Sequence, residues 1–90
     1  MRVRLEQGIV AEVTRNGQLE LVSERSGLRY RFGATATAMW IALQQQGGSL
    51  EGAVGVLARQ WAVDPVDTRR DFDVWVEDML RAGLVRVEEG

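Results

Sequence analysis

Three aspartates of one predicted helix are the side chains in this sequence best placed to do chemistry. Asp67, Asp71 and Asp78 recur at helical spacings, so they should share one face of the helix. Carboxylates grouped in this way can share a proton or bind a divalent cation. Neither an Asp-x-Asp-x-Asp-Gly loop nor a glycine-rich phosphate-binding loop accompanies them. We therefore favour a solvated helix face over a catalytic or metal site.

The composition excludes most other catalytic chemistry. The 90 residues include no cysteine and no histidine, which removes thiol nucleophiles, imidazole bases, disulfides and nearly every zinc or haem site. A hydrophobic content of 46% and a charged content of 27% are ordinary for a globular chain, and a chain of this length has room for one core. We expect a single domain over residues 1–90, a binding module that is not an enzyme and needs no cofactor or metal.

The sequence also bears on where the protein works. No apolar run approaches the roughly 20 residues that a membrane-spanning helix needs. Residues 1–9 carry charges where a secretory signal peptide has its apolar segment. We expect a cytoplasmic protein with no membrane partner.

The first third of the chain has the alternation and turn residues of antiparallel strands. Ile9–Thr14 is rich in β-branched side chains, and Asn16-Gly17 supplies the positive φ angles of a tight turn before a second strand at Leu19–Ser23. Leu28–Phe32 then alternates apolar and charged side chains with a period of two. We predict a three-stranded antiparallel sheet with Leu28–Phe32 as an edge strand.

The two faces of this last strand have different chemistry. Leu28, Tyr30 and Phe32 should face the core. The outer edges of the two aromatic rings can form the floor of a groove. Arg29 and Arg31 should lie outside. Edge arginines can deter sheet-to-sheet aggregation, or pair with acidic side chains of a bound peptide, and the two roles are compatible.

The rest of the chain has helical signals. A first helix is predicted over Ala34–Gln46 with Thr35 as a cap, and a second runs from the cap Ser49 to about Gln60. Asp64-Pro65 places a capping carboxylate before a first-turn proline, which starts a third helix ending at Ala82-Gly83.

Apolar residues recur at helical spacing in the first two helices: Ala38, Ile41 and Ala42, then Leu50, Val54, Leu57 and Trp61. Leu84–Val87 can form a short closing strand. Three strands followed by three helices predict an α+β domain resembling a winged helix.

The third helix has an apolar arc and one apolar residue outside it. The arc consists of Phe72, Trp75, Val76, Met79 and Leu80. Val74 lies on the opposite side, among the aspartates. It is either an ordinary exposed valine or, with Asp71, Trp75 and Asp78, one lip of a groove that holds an apolar residue of a partner.

A winged-helix shape also raises DNA binding, in which a comparable helix enters the major groove. The third helix carries five acids against three arginines, which would bring net negative charge towards the phosphates. Duplex binding depends mainly on cationic side chains, so we expect no nucleic-acid partner.

The motifs have a characteristic order: Gly27-Leu28-Arg29-Tyr30-Arg31-Phe32, Thr35-Ala36 with Trp40, Gly47-Gly48-Ser49, Val63-Asp64-Pro65, and Asp71-Phe72-x-x-Trp75-Val76-x-x-Met79-x-x-x-Gly83-Leu84. This series resembles the PqqD-like family, the leader-recognition elements of ribosomal peptide natural-product pathways. The resemblance covers roughly residues 9–87 and is strongest to the stand-alone proteins of lasso-peptide gene clusters. Where many relatives place Asn after the third strand, this chain has Phe32-Gly33.

The resemblance implies a non-catalytic chaperone. Such a protein binds the leader peptide of a precursor and presents it to a leader peptidase of the cysteine type, and a macrolactam-forming cyclase acts afterwards. The alternative within the wider family is an accessory peptide chaperone for a radical-enzyme pathway. An exposed strand edge beside a helix suits strand addition. The residues expected to contact the leader are Leu28, Arg29, Tyr30, Arg31, Phe32, Asp71, Val74, Trp75 and Asp78.

Overall fold

A computed structural model describes residues 1–89 and contains two small sheets and three helices. In chain order the elements are β1 (Arg2–Leu5), β2 (Ile9–Val13), β3 (Leu19–Ser23), β4 (Arg29–Arg31), α1 (Ala34–Gln45), α2 (Leu50–Trp61), α3 (Pro65–Arg81) and β5 (Val85–Glu88). The predicted α+β class, with a three-stranded sheet followed by three helices, is confirmed.

The three-stranded sheet is an antiparallel meander in the order β2–β3–β4. Val13 pairs with Leu19 across the first turn. Gly17 has the predicted positive φ, at 75°, whereas Asn16 does not share it. Across the second turn, Leu21 pairs with Tyr30. β3 is therefore the central strand, and β2 and β4 are the two edges.

Side-chain caps start the second and third helices where the sequence places them. The hydroxyl of Ser49 accepts a hydrogen bond from the N–H of Gly52 (3.1 Å). A carboxylate oxygen of Asp64 accepts one from the N–H of Val66 (2.8 Å). Each cap satisfies a backbone donor that the first helical turn leaves without a partner.

The predicted cap of α1 is wrong. Gly33, not Thr35, is the N-cap residue, and it makes no side-chain cap bond. Thr35 lies inside the helix. The neighbouring Thr37 is buried, donates its hydroxyl proton to the carbonyl of Gly33 (2.9 Å) and accepts from the N–H of Leu19 (2.7 Å). Thr37 thereby ties the start of α1 to the central strand.

One hydrophobic core joins the helices to both sheets. From α3 it receives Phe72, Trp75, Val76 and Met79, and Thr68 fills the same arc at 1% exposure. The rings of Phe72 and Trp75 meet edge to face with centroids 6.1 Å apart.

In the helices, three residues of the predicted apolar stripes lie at the surface. Leu80, Ile41 and Trp61 are each about two-fifths exposed. Leu80 falls at the margin of the α3 arc, beyond the width that α2 and β5 cover. A helical wheel gives the centre of a buried arc and not its width, so residues at the margins are assigned least well.

The second sheet closes the chain on itself. β1 pairs antiparallel with β5 from Arg2–Glu88 to Leu5–Val85. The closing strand is thus confirmed as β5, whereas β1 was not predicted. Within residues 1–89, no helix is both long and apolar enough to cross a bilayer.

Candidate functional site

The outer edge of β4 presents backbone groups that the sheet leaves unpaired. The N–H of Phe32 donates to the carbonyl of Leu19 on β3 (2.9 Å). Hydrogen bonding alternates along an antiparallel strand. The N–H and C=O groups of Arg29 and Arg31 therefore point away from β3, and the edge offers two donors and two acceptors to an incoming strand.

The side chains of the same two arginines lie on the outer face of the sheet, around Glu20. Glu20 pairs directly with Arg31 in the strand register. Arg29 Nη1 lies 2.5 Å from Glu20 Oε1, and Arg31 Nη2 lies 3.1 Å from Glu20 Oε2. Each carboxylate oxygen thus accepts from a different guanidinium, so both arginines are held beside the open edge. We refer to Glu20, Arg29 and Arg31 as the Glu20 cluster.

The exposure of the cluster is uneven. The Glu20 side chain is 7% exposed, whereas those of Arg29 and Arg31 are 65% and 64% exposed. Hydrogen bonds from Arg31 and Arg29 lower the pKa of Glu20, against the opposing effect of its desolvation. Glu20 is therefore ionised at neutral pH, and the cluster carries one net positive charge.

The opposite face of β4 is apolar. Tyr30 and Phe32 are half-buried and pack against the core, in agreement with their predicted inner-face position. Leu28 was predicted to face the core as well, and this is wrong. It precedes β4, does not join the core cluster and is 58% exposed. An exposed leucine therefore stands at one end of the open edge.

The exposed side of α3 carries the other predicted site residues. Asp71, Val74 and Asp78 are all exposed, Val74 at 59%. α3 packs mainly against α2 and β5, which leaves this side of the helix uncovered. This exposed side of α3 presents one apolar side chain, Val74, among carboxylates.

Trp75 has two features. It is buried in the core at 8% exposure, and its indole Nε1 has no hydrogen-bond partner among the described residues. A buried unpaired donor is uncommon and costs about 1–3 kcal/mol. Its place in the core agrees with the predicted apolar arc, while its contribution to a groove lip stays a prediction.

The structure brings some of the predicted site residues together and leaves others apart. Arg29 and Arg31 meet at Glu20, and Tyr30, Phe32 and Trp75 join the same core. Asp71, Val74 and Asp78 share a helix face without a described hydrogen bond or ion pair to β4. No group of three or more potential metal ligands occurs within residues 1–89.

Glu20 is the residue that the sequence reasoning missed. A signal for it was present, because Glu20 lies between apolar neighbours in a strand whose hairpin register sets it opposite Arg31. Cross-strand pairs of opposite charge stabilise a sheet. The register of the second hairpin was needed to see this pair.

Comparison with known proteins places this geometry in a family. The family model described as coenzyme PQQ synthesis protein D (PqqD) matches residues 20–85. The chain belongs to the PqqD family. The match begins at Glu20 and spans every predicted site residue. It also agrees with the resemblance seen in the sequence motifs. Gly33 is the N-cap of α1, a position at which Gly and Asn are both favoured.

Two solved structures share the PqqD-family fold of this chain. One is TbiB1 in complex with the TbiA(beta) leader peptide, with a TM-score of 0.81 and 16% identity over 97% of this chain and 99% of the other. The second is a lasso peptide synthetase B1 complexed with the leader peptide, with a TM-score of 0.80 and 21% identity over 97% and 100%. No curated protein matches the chain.

Proposed function

We propose that this protein binds the leader segment of a ribosomally made precursor peptide as an added strand on the outer edge of β4. In this proposal it presents the leader to a cysteine-type leader peptidase during lasso-peptide maturation, and a macrolactam-forming cyclase acts afterwards. Residues 1–90 form a single leader-recognition domain that does no chemistry itself and works in the cytoplasm.

The observation that carries the proposal is the outward-facing backbone of Arg29 and Arg31 in a member of the PqqD family. Strand addition gains its affinity from main-chain hydrogen bonds and its selectivity from side-chain contacts on alternate residues. The two solved proteins of the same fold are described with leader peptides bound, which supports the same class of ligand for this chain.

The sheet has a second free edge at β2, and two observations favour β4. β4 lies within the part of the chain that matches the family, whereas β2 precedes it. β4 is also followed directly by α1 and is flanked by exposed Leu28 and half-buried Phe32. An incoming strand at β4 therefore meets apolar side chains as well as backbone donors.

The exposed face of α3 supplies the second wall of the proposed groove. Val74 would contact an apolar residue of the leader, Trp75 would support that contact from below, and Asp71 and Asp78 would border it. Val74 is 59% exposed and is not part of the core, so its side chain is accessible to a leader residue.

The proposal is tested by titrating the protein with the leader peptide of the precursor encoded in the same gene cluster, by calorimetry. The core segment of that precursor and a scrambled leader are the controls. We expect saturable binding of the leader alone, and amide shifts in an NMR titration that concentrate in β4 and α3. Equal binding of leader and scrambled peptide, or shifts confined to β2, would contradict strand addition at β4.

Gene neighbours separate this pathway from the alternative, an accessory role for a radical enzyme of the wider family. A peptidase and a cyclase gene beside this one support lasso-peptide maturation. A radical-enzyme gene in their place would support leader binding by this protein for a radical enzyme instead.

A further inference from the structure

We propose that the Glu20 cluster is a carboxylate-binding site that selects leaders with an acidic side chain on the outer face of the added strand. This inference rests on the proposed function, because it names the chemistry of the peptide that β4 takes. The register of β3 and β4 fixes the positions of the three residues of the cluster.

Within the cluster the charges do not balance, while Glu12, which pairs with Glu20 on the same face, lies on the side away from β4. Two guanidinium groups share one carboxylate, and both arginine side chains stay about two-thirds exposed. Each guanidinium has five N–H donors, and Glu20 accepts a hydrogen bond from one nitrogen of each. The cluster therefore has both the charge and the free donors to bind one further carboxylate.

The sheet geometry determines where that carboxylate would come from. Glu20 approaches the arginines from β3, which lies on one side of β4. A strand added on the other side pairs two of its residues with Arg29 and Arg31, and their side chains lie on the same outer face about 5 Å away. An acid at either position meets the guanidinium groups from the side opposite Glu20.

Alternation along the added strand then dictates the neighbouring residues. The residue between these two positions pairs with Tyr30, so its side chain points to the apolar face of the sheet. A shift of one residue would turn the acid towards Tyr30 and Phe32 and an apolar side chain towards the arginines. The cluster thus favours an acidic residue next to an apolar one, and it determines which face of the bound strand carries the acid.

Glu20 acts here as a positioning residue. An edge arginine that served only against aggregation would need no buried carboxylate to hold it. The ion pairs with Glu20 restrain both arginine side chains beside the open edge. These side chains therefore lose less conformational entropy when an acidic residue binds.

The test uses a display library of random 12-residue peptides, selected on the wild-type protein and on the double variant Arg29→Gln/Arg31→Gln. The matched control is Arg15→Gln/Arg59→Gln, which makes the same change in net charge at exposed arginines away from β4. We expect wild type and control to enrich peptides with Asp or Glu beside apolar residues, and the double variant to lose the acidic preference.

An enriched peptide is then compared with its amide counterpart, Glu replaced by Gln or Asp by Asn, by fluorescence anisotropy. The amide peptide should bind the wild type about threefold to tenfold more weakly, and the two peptides should bind the double variant equally. The comparison of the two peptides on the wild type changes only the peptide, so its result stands even if the double variant folds poorly. Glu20→Gln raises the net positive charge of the cluster, so a loss of acidic preference with binding retained in this variant reports lost positioning of the arginines and not lost charge. An increased acidic preference would contradict the positioning role of Glu20.

The outcomes distinguish this inference from the proposed function. Peptides that bind at β4 without acidic enrichment, or an amide peptide that binds the wild type equally well, would overturn the carboxylate site and leave strand addition standing. Failure of the wild type to bind the encoded leader would overturn both, whereas failure to select any acidic peptide while the encoded leader binds would overturn the carboxylate site alone.

Discussion

The pair Val74→Asp and Phe72→Ala separates leader binding from core packing on a single helix. Val74 is 59% exposed, so its replacement removes little buried surface. The new carboxylate stands three residues from Asp71 and Glu77 and four from Asp78, and each like-charge neighbour costs about 0.2–0.5 kcal/mol. Arg70, four residues before it, offsets one such pair. We expect a loss of under about 1 kcal/mol in the free energy of unfolding.

The effect of Val74→Asp on binding should be larger than its effect on stability. In the proposed groove the carboxylate would be desolvated against an apolar side chain of the leader without a partner. We expect a loss of about 1–3 kcal/mol, or roughly 5- to 150-fold in affinity for the encoded leader. Calorimetry measures the affinity, and urea denaturation measures the stability of the same samples.

Phe72→Ala should show the opposite profile. Phe72 is fully buried and meets Trp75 edge to face, so its truncation should cost about 3–5 kcal/mol of stability. For a domain of this size that lowers the Tm by about 10 °C or more. If Val74→Asp leaves the affinity unchanged while Leu80→Asp abolishes it in a folded protein, the groove runs along the other margin of α3 and our assignment is refuted.

Three further outcomes are expected. The purified protein should neither cleave nor cyclise the precursor, with or without divalent metal and ATP; cleavage seen by time-resolved mass spectrometry, free of contaminating protease, would contradict this. Arg29→Pro and Arg31→Pro each remove an outward N–H and should weaken leader binding more than alanine at the same positions, with circular dichroism unchanged; Val13→Pro, on the opposite edge of the sheet, should bind like wild type. The pKa of Glu20 is lowered by folding, so its charge stabilises the fold above the ordinary value of 4.5 and this contribution is lost as the pH falls through the folded-state value. The Tm difference between wild type and Glu20→Gln should therefore shrink in acid, and a difference independent of pH would refute the account.

Local signals account for the elements that the sequence predicted. The Asn16-Gly17 turn, the Ser49 cap and the Asp64-Pro65 start each act over a few residues, and each has the predicted role in the structure. β1 has no such signal, because its partner β5 lies at the other end of the chain.

The candidate site was only partly predictable for the same reason. Alternation alone places Tyr30 and Phe32 towards the core and Arg29 outside. The ion pairs of Glu20 depend on the register of β4 against β3, and the exposure of Leu28 depends on where the core ends. Both are properties of the assembled sheet.

The pairing of β1 with β5 has a consequence for the order of folding. Pairing Leu5 with Val85 closes a loop through most of the chain, which costs more conformational entropy than the short loops of the β2–β3–β4 meander. We expect the meander and helices to form before the ends of the chain meet, since distant pairings are slow. Pulsed hydrogen exchange during refolding should then protect the amides of β3 before those of β1, and simultaneous protection would contradict this order. A nascent chain would thus form the open edge of β4 before β5 pairs with β1.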